Sequence, residues 1–284
     1  DVRPYWRPNI GEASPSKSPL PSETQAIQRL KALLTASVKD RLVADVPVGI
    51  FLSGGVDSGL LAALAAQHNP GITAYTVRMS ERSYDETPYA KRIAAHIGIR
   101  HEIISLSEQD LLSALDGVEQ EIDEPFADNS LVPTYLLCRT ARDHIKVALG
   151  GDGADELFAG YPNFYVRPYA RAMSLIRGGL SRGLRAAISR LPVSSGYMSL
   201  NFKLAQLAKG FGEDPDLQSF CWMAPFSEDE KNMLVSSANR MAINADDTFE
   251  PVYRKLLEQN LSDPVERLIF LFSVIYLPDN ILFK

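Results

Sequence analysis

The stretch that most limits what this chain can fold into is Ser53-Gly54-Gly55-Val56-Asp57-Ser58, set between the apolar run Val48-Gly49-Ile50-Phe51-Leu52 and the helix-like run from Gly59 to Ala66. A buried strand that feeds a small glycine-rich turn and then opens a helix presents backbone N–H groups to an anion, because the first turn's donors lack intrahelical partners. Two glycines let the backbone approach a phosphate closely, and Ser53 and Ser58 add hydroxyl donors. Asp57 stands apart. A carboxylate beside a phosphate repels it unless a cation intervenes, so a magnesium ion bridging the two is the economical reading. Taken alone, the hexapeptide is equally a tight strand-to-helix turn with no ligand.

Residues 46–150 repeat one pattern, a short apolar strand and then a helix. Val46 to Leu52 precedes a helix from Ser58 to about His68, and Thr73 to Val77 precedes one over Tyr89 to Ile97. His101 to Leu106 precedes one from Glu108 to Val118, and a helix over Leu131 to Arg142 leads into Lys146 to Leu149. The alternation predicts an α/β fold, a parallel sheet with helices on both faces. In such sheets ligands collect at the carboxyl ends of the strands, where strand order reverses. The loops after Leu52 and Leu149 are therefore expected to face one crevice. The second loop, Gly150-Gly151-Asp152-Gly153-Ala154-Asp155-Glu156-Leu157-Phe158-Ala159-Gly160-Tyr161, brings three acids near a helix start. Asp155 or Glu156 could simply stabilise that helix, but Asp57 and Asp155 could equally share one magnesium ion whose other ligands are phosphate oxygens and water.

With 284 residues, 45% of them hydrophobic and 23% charged, the composition is that of a soluble globular protein. A formal net charge of -6 gives no general attraction to nucleic acid or anionic membrane and favours small-molecule partners. Cys138 and Cys221 fit no zinc spacing, and His68, His96, His101 and His144 form no paired ligand motif, which suits a reducing, cytoplasmic setting. No apolar run nears the roughly 20 residues a spanning helix needs. The Pro- and Ser-rich residues 1–21 read as a linker or arm, followed by one domain over 22–284. Ser22 with Gln25, and Ser227 with Glu230, have capping-box spacing, and Asp263-Pro264 opens an apolar helix through Leu268, Phe272 and Ile275. Both ends of the chain look cut. Between Val166 and Arg190 six arginines occur with no acid, read as a solvated helical face or a contact with an absent domain.

Several blocks in order carry a resemblance. Ser53 to Ser58 resembles the PP-loop of ATP pyrophosphatases. Asp45 to Gly49, Tyr84-Asp85-Glu86, Asp123-Glu124-Pro125-Phe126-Ala127-Asp128, Gly151 to Tyr161 and Tyr276-Leu277-Pro278-Asp279 resemble the synthetase domain of glutamine-hydrolysing asparagine synthetases. The resemblance implies a fold of the adenine nucleotide alpha hydrolase type with a helical C-terminal part. It also implies an ATP-dependent amide synthesis in which aspartate is adenylated to β-aspartyl-AMP and then attacked by ammonia drawn from glutamine. ATP and Mg2+ are the implied cofactors.

Carried over position by position, Ser53, Gly54, Gly55, Asp57 and Ser58 would hold pyrophosphate, with Asp57 and Asp155 as magnesium ligands. Leu52, Val77, Gly150 and Gly151 would give backbone contacts around adenosine. Asp152 stands where the family has a glutamate thought to act as base or orienter, one methylene longer, and a general base must come within hydrogen-bond reach of its proton. Asp123, Glu124, Asp128 and Glu156 are weaker candidates, for substrate or ammonia binding or for a structural turn. The resemblance further implies a missing N-terminal glutaminase domain, and a catalytic lysine beyond Lys284, so the chain is expected to bind ATP with magnesium but to turn over poorly. It is compatible with a homodimer. A different PP-loop ATP pyrophosphatase and a non-catalytic nucleotide-binding scaffold are the rival readings.

Overall fold

The computed structural model describes residues 8, 21–194, 196–242, 249–259 and 261–284; nearly all of the proposed arm over 1–21 lies outside them. The described residues divide into two compact units. Residues 21–152 with Lys284 form one, and residues 8 and 153–283 the other.

In the first unit the period-2 and period-3.6 patterns become nine elements, beginning with α1 (Glu23–Arg41), β1 (Val48–Phe51), α2 (Val56–His68), β2 (Thr73–Met79) and α3 (Thr87–Ile97). They continue as β3 (Arg100–Leu106), α4 (Glu108–Glu121), α5 (Leu131–Ala141) and β4 (Val147–Leu149). Ser22 caps α1 through the capping box that its spacing with Gln25 predicts. All strand pairs are parallel, in the order β3-β2-β1-β4.

Side-chain alternation along the strands sends two sets of apolar groups to opposite faces. Ile50, Leu52 and Ala74 pack with Val38 of α1, Ala62 and Ala65 of α2, and Ala90 and Ala94 of α3. Phe51 and Tyr75 pack with Leu137 and Ala141 of α5, and Leu106 with Ala114 of α4 and Leu136 of α5. Helices therefore cover both faces, as the alternating pattern requires. β1 runs from its pairing with β2 on one side to its pairing with β4 on the other, so strand order reverses between β1 and β4. Their carboxyl ends flank the switch point, and Ile50 pairs with Leu149 just before the two glycine-rich loops.

The second unit is helical. Its core gathers Phe164, Leu268 and Phe272, with Leu217, Val252, Phe270 and Leu271 alongside. The capping boxes and caps expected at Ser227 and Asp263 form: the Ser227 hydroxyl accepts from the Glu230 amide, and one Asp263 oxygen accepts from the Val265 and Glu266 amides. The helix begun at Pro264 is α-helical only to Leu271; over Phe272–Ile281 it widens into a π-helix that accommodates Pro278. Such widening lets a chain carry a proline past the i−4 carbonyl that would otherwise clash with its ring. The arginine run is partly internal: Arg167 is buried, paired with Asp216 and donating to the Pro215 carbonyl at 2.6 Å, while Arg185 pairs with Asp229 at 2.9 Å. Acids distant in sequence thus answer charges that the local composition leaves unmatched.

Candidate functional site

The hexapeptide leaves β1 through Leu52, which is 2% exposed. The Leu52 amide donates to Tyr75 O at 2.9 Å, and its carbonyl accepts from the Thr76 hydroxyl at 2.5 Å. The Thr76 oxygen lies 2.7 Å from His101 Nε2. With the Thr76 hydrogen committed to Leu52, His101 supplies the proton of that second bond. Burial, followed by the charge of Lys91, holds the His101 imidazole below its ordinary range and so favours the neutral ring.

The turn that follows is knotted by its own hydroxyls. The Ser53 amide donates to Ser58 Oγ at 3.1 Å, the two hydroxyl oxygens lie 2.8 Å apart, and the Gly55 amide donates to Ser53 Oγ at 3.2 Å. The Gly54 amide turns the other way, to Glu86 Oε2 at 3.1 Å. Gly54 permits this because a Cβ there would stand 2.7 Å from Tyr89 Cβ, so only glycine lets the start of α3 come so near. Gly55 caps α2 without any side-chain acceptor, which leaves the helix's first-turn donors directed at the switch point. Asp57 is partly exposed, and among the described residues its carboxylate has no hydrogen-bond or ion-pair partner.

The loop after β4 lies against this turn. A Cβ on Gly151 would meet the Ser58 amide nitrogen at 3.0 Å and Asp57 Cβ at 3.3 Å, so the second glycine of that loop is where the two strand ends touch. Asp152 is exposed and folds back over Gly150, where a Cβ would meet its Oδ2 at 2.5 Å. Leu52, Ser53 to Ser58, Val77, Gly150, Gly151 and Asp152 are thereby gathered at the carboxyl ends of β1, β2 and β4.

The remaining candidates belong to other elements. Asp155 and Glu156 belong to α6 (Ala154–Phe158), in the second unit, so the expected pairing of Asp57 with Asp155 joins residues of different units. Glu156, 1% exposed, accepts from the Tyr161 hydroxyl at 2.6 Å. Burial, then that bond and the Glu156 charge, push the Tyr161 phenol far above its ordinary value. Asp123 and Glu124 are exposed between α4 and α5. Asp128 accepts from the Ser130 amide at 2.8 Å and from Lys284 Nζ at 2.9 Å. Burial raises the Asp128 carboxyl, but those bonds outweigh it and hold the group below the usual carboxylate range.

Among the described residues no three His, Cys, Asp or Glu side chains gather as a metal site. The donor set that does exist, one unpaired carboxylate beside a turn shaped for phosphate, suits magnesium, which keeps several waters and takes one or two carboxylates plus substrate oxygens. Sequence reasoning missed the roles of Thr76 and His101, which hold Leu52 just before the turn, and of Glu86, which accepts from the Gly54 amide. Its one signal for Glu86 was the Tyr84-Asp85-Glu86 block of the resemblance.

A parallel sheet whose switch point holds a serine- and glycine-rich turn at a helix N-terminus is the frame of a nucleotide-phosphate site. The family model for asparagine synthase matches residues 29–284, and the chain belongs to that family. It is 38% identical over 167 residues to a putative glutamine-hydrolysing asparagine synthetase of Mycobacterium tuberculosis, a match covering 55% of this chain and 26% of that protein. It is 32% identical over 171 residues to glutamine-hydrolysing asparagine synthetase 1 of Bacillus subtilis, covering 60% of this chain and 27% of the relative. These matches thus span about a quarter of each relative's length. Among solved structures it is similar to an NMN synthetase from Francisella tularensis, with 17% identity, a TM-score of 0.37, and 87% of this chain and 92% of that chain covered. No helix among the described residues is long and apolar enough to cross a membrane.

Proposed function

We propose that this chain is the synthetase part of an ATP-dependent amide-forming ligase. In it an aspartate side-chain carboxylate attacks the α-phosphate of ATP, releasing pyrophosphate and forming β-aspartyl-AMP. Ammonia then attacks the acyl carbon, giving asparagine and AMP. Activation is needed because a carboxylate is a poor electrophile and oxide a poor leaving group. The observation that carries the reading is the Ser53–Ser58 turn at the switch point, with Gly151 pressed against it. Ser53, Gly54, Gly55 and Ser58 would hold the pyrophosphate part of ATP through amides and hydroxyls. Leu52, Val77, Gly150 and Gly151 would offer main chain around adenosine.

Bound magnesium would neutralise phosphate charge, with Asp57 as its protein ligand beside the turn. Asp152, exposed beside Gly150, would orient or deprotonate the attacking ammonia. Asp123, Glu124, Asp128 and Glu156 are weaker site assignments, and the bonds of Asp128 and Glu156 to Lys284 and Tyr161 favour structural roles for those two. Ammonia would come from a glutamine-hydrolysing domain of the longer protein, in the cytoplasm.

ATP–pyrophosphate exchange measured with a panel of carboxylates tests the proposal. Aspartate should stimulate exchange, and Asp57→Asn should reduce it at least tenfold. Exchange indifferent to aspartate, or untouched by Asp57→Asn, overturns it.

A further inference from the structure

We propose that Glu86 is a built-in competitor of the phosphate group: its carboxylate holds the Gly54 amide of the turn, and a bound pyrophosphate must take that donor from it. The inference rests on the reading that this turn takes pyrophosphate.

Four observations support it. First, the Gly54 amide donates to Glu86 Oε2 at 3.1 Å across 32 residues of sequence, while the neighbouring amides of Ser53 and Gly55 donate to neutral hydroxyls. Among the described residues the anionic acceptor on the turn's amides is therefore Glu86. Second, α3 does not need this carboxylate. Glu86 occupies the cap position with no side-chain cap bond, and the Thr87 amide is satisfied by Asp85 Oδ1 at 3.1 Å. Third, Glu86 is exposed and has no cation paired with it among the described residues. Its charge thus stays uncompensated beside the turn. Fourth, the contact is built, because Gly54 has no Cβ and the start of α3 closes to within 3.3 Å of where one would stand, measured at the Glu86 carbonyl oxygen.

A phosphate oxygen and the Glu86 carboxylate compete for one N–H donor, and two anions at this spacing repel. Binding is then an exchange of acceptors. Glu86 thereby selects for a ligand that presents several strong acceptor oxygens at once, a magnesium-bound polyphosphate over a single phosphate ester or a carboxylate.

Titration of the protein with magnesium pyrophosphate by calorimetry tests this, with Glu86→Ala and Glu86→Gln as variants and far-UV circular dichroism as a folding control. Removing the competitor should tighten pyrophosphate about tenfold in Glu86→Ala, with Glu86→Gln between it and the parent, since a neutral amide oxygen still accepts but no longer repels. Orthophosphate affinity should rise by a larger factor, narrowing the preference for pyrophosphate. Unchanged or weaker pyrophosphate binding in both variants overturns the proposal and makes Glu86 a brace or a ligand-holding group. The titration requires no turnover. Failure of aspartate-stimulated exchange with tighter binding in Glu86→Ala removes the amide synthesis alone, whereas aspartate-stimulated exchange with unchanged binding removes the competitor alone. Pyrophosphate binding by none of the three proteins removes both.

Discussion

At the scale of single residues, two polar contacts tie stability to pH in opposite directions. His101 is held neutral by burial while donating to Thr76, which in turn holds the Leu52 carbonyl. Its folded pKa lies below the unfolded value, so on acidification the unfolded chain takes up the proton first. The stability this contributes is complete above about pH 6.5 and is lost as pH falls through the depressed folded value. Urea denaturation should show the parent losing more stability between pH 7.5 and 5.5 than His101→Gln does. Tyr161 has the opposite sign. Its phenol is raised above the ordinary value of 10.0, so its stabilisation is present below about pH 10 and fades as pH climbs toward the higher folded value. Tyr161→Phe should cost about 1–3 kcal/mol at neutral pH by leaving buried Glu156 without its donor, and should flatten the alkaline arm of the stability profile. The first contact is not legible locally: Thr76 and His101 are separated by 25 residues, as Gly54 and Glu86 are by 32, and side-chain periodicity carries no information about partners at such distances.

At the scale of elements, glycines separate tight packing from open helix surface. A methyl group on Gly151 would press on the first turn of α2, whereas one on Gly183, inside the helix Gly178–Ile188, would meet nothing within 4 Å. Gly151→Ala should therefore lower stability by about 1–3 kcal/mol and weaken ATP binding together. Gly183→Ala should raise stability by about 0.5–1 kcal/mol through the unfolded chain's lost freedom. Thermal melts with and without ATP check both. The strands and the long helices were legible because apolar spacing and capping chemistry agree, as at Ser22 with Gln25 and Ser227 with Glu230. The start of α3 at Thr87 rather than Tyr89 was not, because it depends on Asp85 accepting the Thr87 amide outside the apolar pattern. The π-helical turn around Pro278 was also hidden, since its apolar spacing reads as an ordinary helix.

At the scale of the whole molecule, the helical unit adds a cluster of ion pairs to its apolar core. The residues 153–283 unit depends on Asp216, which pairs with both Arg167 and Arg267, while Arg167 also reaches the Pro215 carbonyl. Truncating Arg167 leaves a nearly buried carboxylate short of a partner. Arg167→Ala should cost about 3 kcal/mol in chemical denaturation and should not be mimicked by added salt, as a surface pair would be. The α/β class, and with it the place of the Ser53–Ser58 turn at a strand's carboxyl end, could be inferred from alternation, because strand and helix periods differ and parallel strands need crossovers. The division near Asp152 could not, since it falls inside a glycine-rich loop whose composition is uniform across the break.

The strand order also sets a clock. β1 is finished early in the chain, yet its second neighbour, β4, pairs Val48 with Val147 on the order of a hundred residues later, and all of the intervening α/β segments must be in hand before the central strand is sheltered on both edges. Closing so long a loop is entropically slow, so the Gly150–Gly151 loop comes to rest against the Ser53–Ser58 turn only at the end of that unit's assembly, and refolding by stopped flow should show that contact lagging well behind the helical signal. Until then β1 remains an open apolar edge, the stretch through which a nascent or heated chain would most readily stick to its neighbours.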